Sequence, residues 1–63
     1  MTIAELRKKF PGAEFHFFDA DGYQLPMTPF LHDKVHKWER RVYQFSEFGE
    51  SWETEHLFIR MAG

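Results

Sequence analysis

The segment VHKWERRVYQF, Val35–Phe45, admits two readings, and the fold follows from the choice between them. Leu31, Val35, Trp38, Val42 and Phe45 fall at steps of 4, 3, 4 and 3, the apolar stripe of an amphipathic helix. Thr28-Pro29 would start that helix, with Thr28 as N-cap and Pro29 at the first helical position. The helix would then run over residues 29–46. The rival reading makes 28–33 a single turn and 35–45 a strand. Arg40-Arg41-Val42-Tyr43-Gln44-Phe45 is rich in the β-branched and aromatic residues that suit a pleated surface.

The residues downstream weigh on the choice. Leu57, Ile59 and Met61 alternate within Glu53–Met61, which reads as a strand, and the polar stretch Ser46–Ser51 lies between the two segments. A strand needs neighbours, and a hairpin of nearly equal arms supplies one at little loop-closure cost. Pairing therefore favours the strand reading of 35–45.

Upstream, Thr2-Ile3-Ala4-Glu5 reads as a capping box. Ile3, Leu6 and Phe10 follow on one helical stripe. Arg7, Lys8 and Lys9 stand where cations suit the helix dipole, and Pro11-Gly12 stops the helix. Ala13–Phe18 reads as a strand with Phe15 and Phe17 on one face, His16 and Phe18 on the other. Asp19-Ala20-Asp21-Gly22 is a turn, and Tyr23, Leu25 and Met27 alternate on a return strand that Pro26 confines to an edge. The expected fold is a single α+β domain over residues 1–63. A short N-terminal helix packs on a three- to four-stranded antiparallel sheet of two hairpins. The alternative order is helix, hairpin, long helix 29–46, C-terminal strand.

Composition narrows the function. A chain of 63 residues buries a small fraction of its surface and is marginal alone. Cys is absent, so no disulfide staples it, which fits a reducing cytoplasm. Aromatic residues make up 19%, too many for a disordered tail. A net charge of −2 argues against general affinity for nucleic acid or anionic membrane. No stretch has the apolar length of a membrane span or a signal peptide. Beginning at Met without an evident tag, the chain reads as a complete small protein.

Chemical motifs are weak. Asp19-Ala20-Asp21-Gly22 resembles the start of a calcium loop, but Gln24 and Phe30 occupy the positions that require Gly and Glu. His32 and His36, at i and i+4, could share a metal on a helix, with His16 or His56 completing the set. Two ligands do not make a site, and surface histidines are the simpler reading. Ser46 and Ser51 lack any nucleophile elbow, and neither a Cys nucleophile nor a Gly-rich phosphate loop is present. No catalytic constellation, cofactor site or family signature emerges.

Aromatic residues on both faces of the sheet distinguish this chain. His16, Phe18, His56, Phe58 and Trp52 fall opposite the inward Phe15, Phe17, Leu57 and Ile59, while the face of Trp38 depends on register. One short helix shelters one face only. The other must be covered by a long loop, by a sheet that coils onto itself, by a second copy, or by another protein. The expectation is a non-enzymatic protein-interaction module with Trp38, Tyr43, Trp52 and Phe58 as anchors and Arg40 and Arg41 as orienting charges. Small acidic proteins are common among accessory proteins of bacteria and their phages. That background, not any residue, adds the expectation of modulating a larger complex. Two alternatives remain. One is nucleic-acid binding through Lys37, Arg40 and Arg41 with Trp38 and Tyr43. The other is a homodimer or larger homo-oligomer joined through the sheet.

Overall fold

Strand pairing prevails over the helical stripe because the two arms of the C-terminal hairpin pair from end to end, with a single bulge at His36. In the computed structural model, which describes residues 1–63, β2 (Val35–Glu47) runs antiparallel to β3 (Glu50–Met61), from Val35 opposite Met61 to Glu47 opposite Glu50. The long helix 29–46 is thereby excluded. The turn is tighter than the expected 46–51 stretch and consists of Phe48 and Gly49 alone. Both have positive φ, 52° and 81°, as a two-residue hairpin loop matched to the strand twist requires. Gly49 adopts this freely. Phe48 accepts a backbone region that costs a side-chain-bearing residue about 1–2 kcal/mol.

The sheet differs from expectation in its third strand. β1 (Glu14–Phe18) pairs in parallel with β3, Glu14 opposite His56 through to Phe18 opposite Arg60, giving the order β1-β3-β2. The sheet is thus three-stranded and mixed, not an antiparallel pair of hairpins. An N-terminal hairpin does begin. The Asp19 carboxylate accepts the backbone N–H groups of Asp21 and Tyr23 at 2.9 Å each, and the Leu25 N–H donates to the Phe17 carbonyl. It yields only an isolated bridge between Phe18 and Gln24. Pro26 has no N–H with which to extend the ladder, so residues 23–27 leave the sheet. A second turn at 30–33, closed by the Asp33 side chain on the Phe30 N–H, leads into β2.

α1 (Ile3–Lys9) is capped as the sequence implies, the Thr2 hydroxyl accepting the Glu5 N–H. The Glu5 carboxylate, however, takes the hydroxyl proton of Thr2. Backbone bonds from Val35 to Met1 and from Ala4 to Leu31 tie the chain start to the entry of β2. α1 lies on one face of the sheet only. There Ile3 and Leu6 join Phe17, Leu57, Ile59 and Met61 in the single buried cluster, bordered by Phe10, Phe15, Leu25, Val35 and Trp38. Arg7 and Lys9 of α1 lie over the rings of Phe15 and Trp38 and close the margin of that core.

This core occupies one end of a long molecule, 44 × 24 × 17 Å. β1 reaches only residues His56–Arg60 of β3. Beyond them the β2–β3 hairpin continues as a two-stranded arm without a third strand or helix against it. No helix is long and apolar enough to cross a membrane.

Candidate interaction surface

Strand alternation assigns every side chain of the sheet to one of two faces. On β3, Leu57, Ile59 and Met61 point toward α1; Trp52, Thr54, His56, Phe58 and Arg60 therefore point away. Cross-strand register carries this to β2, where Glu39, Arg41, Tyr43 and Phe45 stand opposite Phe58, His56, Thr54 and Trp52. β1 adds Glu14, His16 and Phe18 to the same helix-free face.

The rings of this face form a strip along the sheet. Phe18 meets Phe58 with centroids 6.4 Å apart, Phe58 lies parallel to His16 at 5.0 Å, and the edge of Tyr43 meets His56 at 5.2 Å. On the arm, Phe45 and Trp52 stack at 5.9 Å. They keep 46% and 45% of their surface exposed, and Phe48 at the tip keeps 96%. Aromatic pairs add about 0.5–1.5 kcal/mol beyond area burial, so the Phe45–Trp52 pair helps hold the arm together. It does so without shelter from α1 or the loops. The sheet has not coiled onto itself, because only the α1 face carries a buried cluster.

The residues singled out in the sequence divide between the faces. Arg41, Tyr43, Trp52 and Phe58 share the helix-free face. Trp38 and Arg40 lie on the other: Trp38 packs half-buried against Phe10 at 5.4 Å, and Arg40 donates from Nε to Glu55 at 2.8 Å. Arg40 thereby pairs with a glutamate across the ladder. Arg41 instead pairs with Glu39 on its own strand at 3.3 Å. The Tyr43 hydroxyl, and then Glu39, raise the Arg41 pKa above its ordinary value.

An open groove of about 550 Å³ crosses the base of the helix-free face. Phe18 and Phe58 supply its rings on this face, Trp38 also borders it, and Lys37, Arg41 and Arg60 stand around them with Glu39 as the one carboxylate. Lys37 thus borders the groove, whereas Arg40, on the α1 face, does not. His32 and His36 do not converge on a metal: His32 lies in the turn before β2 and His36 is exposed on that strand, and neither belongs to a cluster of potential ligands. The set that does converge is Glu14, His16 and His56.

Two features of the surface escape the sequence reading. Phe45 and Phe48 go unnamed among the anchors because the turn is placed too broadly over 46–51. Counting outward from a two-residue Phe48-Gly49 turn pairs Phe45 with Trp52 directly. The Glu14–His16–His56 grouping depends on β1 pairing with β3 in parallel, which no local signal specifies. Set against protein-family models, curated proteins and solved structures, the chain matches none.

Proposed function

We propose that this chain is a non-enzymatic interaction module that binds another protein through its helix-free face and projecting arm. The observation that carries this reading is the aromatic strip of the helix-free face, half-buried at Phe18 and Phe58, where Arg41 lies over the Phe58 ring, and exposed at Tyr43, Phe45 and Trp52. Exposed apolar surface of this extent marks interaction sites on soluble proteins. Trp, Tyr and Arg dominate binding hot spots. Trp52, Tyr43, Phe45 and Phe58 are the anchors of the proposed interface, and Arg41 sets orientation against partner carboxylates. Trp38 and Arg40, engaged on the α1 face, support the fold. By occupying a partner's surface, such a module would modulate a larger assembly without chemistry of its own.

Affinity purification with the wild-type chain and its Trp52→Ala and Phe45→Ala variants tests this. The expected result is a protein retained by wild type and weakened about thirtyfold or more by Trp52→Ala, the effect of losing a hot spot worth about 2 kcal/mol. Retention indifferent to Trp52 and Phe45 would refute it. A dimer mass that becomes monomeric on Trp52→Ala would assign the same face to self-association.

The groove favours a second reading. Three cations around two rings suit a single-stranded nucleic acid, whose bases stack while its phosphates pair with Arg and Lys. On this reading Lys37, Arg41 and Arg60 carry the charge, with Phe18 and Phe58 as platforms. Binding would weaken steeply with salt, and no gel shift of labelled DNA or RNA at low salt would dispose of it.

A further inference from the structure

Within the helix-free face lies a cluster that neither reading uses. His16 Nε2 and His56 Nδ1 are 2.9 Å apart. Their ring planes differ by only 22°, yet the centroids stand 5.2 Å apart. The excess of centroid separation over nitrogen contact is taken up by the two ring radii. The rings therefore meet edge to edge, each nitrogen facing the other, and do not lie face over face. Glu14 Oε2 is 3.7 Å from the same His56 Nδ1. All three ligand atoms fall within 4.8 Å of one another.

We propose that Glu14, His16 and His56 form a binding site for one zinc ion per chain. Two imidazoles and a carboxylate are a donor set of zinc sites that keep a coordination position open, and imidazole suits the borderline divalent metals generally. Bond lengths of about 2.0–2.1 Å in a tetrahedral shell separate neighbouring ligand atoms by about 3.3 Å. The two nitrogens must open by a few tenths of an ångström to reach that spacing, each ring turning so that its lone pair points at the ion and not at the other nitrogen, and the Glu14 oxygen must close on His56 Nδ1 by a similar amount.

The surroundings favour this use. His56 Nε2 lies 3.0 Å from Thr54 Oγ1. With Nε2–H donating to that oxygen, Nδ1 carries a lone pair toward the site, the outer-shell arrangement that orients metal-binding histidines. His16 reaches the matching state by moving its proton from Nε2 to Nδ1, with no net proton released. Paired backbones hold all three residues, Glu14 lying directly opposite His56 in the β1–β3 ladder. The cation opposite His56 on β2, Arg41, is engaged by Glu39. His56 is largely shielded at 17% exposure and Glu14 open at 68%, so the free coordination position faces solvent. A bound ion would clamp β1 to β3, giving a small chain without cysteine a staple of another kind.

Thermal melts of the full chain in zinc chloride and in EDTA, paired with titration calorimetry, test the site. One zinc should bind per chain and raise the melting temperature by roughly 20 °C at a hundredfold excess over the dissociation constant. His16→Gln and His56→Gln should abolish the rise, while a His32→Gln/His36→Gln double variant keeps it and magnesium gives none. No rise with zinc, a rise that survives either single variant, or one lost in the double variant would overturn the site. Should the single variants fail to fold, long-range nitrogen–proton spectra of the wild type decide. Zinc should move the ring nitrogens of His16 and His56 and leave those of His32 and His36 in place; the opposite pattern would overturn the proposal.

Discussion

The two ends of the β2–β3 hairpin share a ladder but not a means of support. At the base, β3 is flanked by β1 and β2 and covered by α1, and Leu57 and Ile59 are fully buried. On the arm, Tyr43, Phe45 and Trp52 lie on a two-stranded ribbon open to solvent. A lone two-stranded hairpin is marginal in water, so the arm depends on the base for its fold while the base does not depend on the arm. Strand propensity and a tight turn therefore suffice to project a structure, whereas burial is needed to stabilise it.

Substitutions at the two ends should separate accordingly. The largest effect is expected at the base. Leu57→Ala leaves a cavity in a six-residue core and should cost about 2–5 kcal/mol, a large share of a small domain's stability. Chemical denaturation measures this, and a loss below about 1 kcal/mol would mean the core is placed wrongly. Trp38→Ala removes the ring packed on Phe10 and should lower the melting temperature of the isolated chain. Trp52→Ala should cost the isolated chain the aromatic-pair increment of about 0.5–1.5 kcal/mol together with the partial burial of the ring on the arm, less than Trp38→Ala although it removes the same side chain. Equal thermal losses at the two tryptophans would erase the distinction between base and arm.

The smaller effects sharpen it. Phe48→Gly relieves the positive φ at the tip and should stabilise the chain by up to about 1 kcal/mol; a destabilised variant would show that the exposed ring packs against something. Arg40→Ala should cost no more than about 1 kcal/mol, since exposed ion pairs contribute little. A larger loss, measured by denaturation, would mean that the guanidinium over the Phe10 ring supports the core through packing.

Much of this division is written in local sequence. The capping residues and apolar stripe specify α1, alternation around Leu57 and Ile59 specifies β3 and its two faces, and the uncovered aromatic face follows from having one short helix. The parallel seating of β1 on β3 is not local. Asp19, Gly22 and Tyr23 announce a hairpin, and one starts, but Pro26 ends it. β1 then finds its main partner across the whole chain, where its ring-bearing faces match those of β3. Register is likewise hidden when the turn is spread over residues 46–51 and not confined to Phe48 and Gly49. A shift of one residue exchanges the faces, so alternation puts Arg40 and Arg41 on opposite faces but only the pairing decides which of them, and whether Trp38, shares a face with Trp52.

Residue-resolved hydrogen exchange on the isolated chain tests the central division most directly. Amides of β3 from His56 to Arg60 should be protected to the limit of global unfolding, with protection falling along residues 42–54 toward the tip, because the arm can open while the base stays folded. Uniform protection along the hairpin, with arm amides as slow as those of the base, would contradict the account. It would mean that the strip bearing Phe45 and Trp52 is already covered when no partner is present.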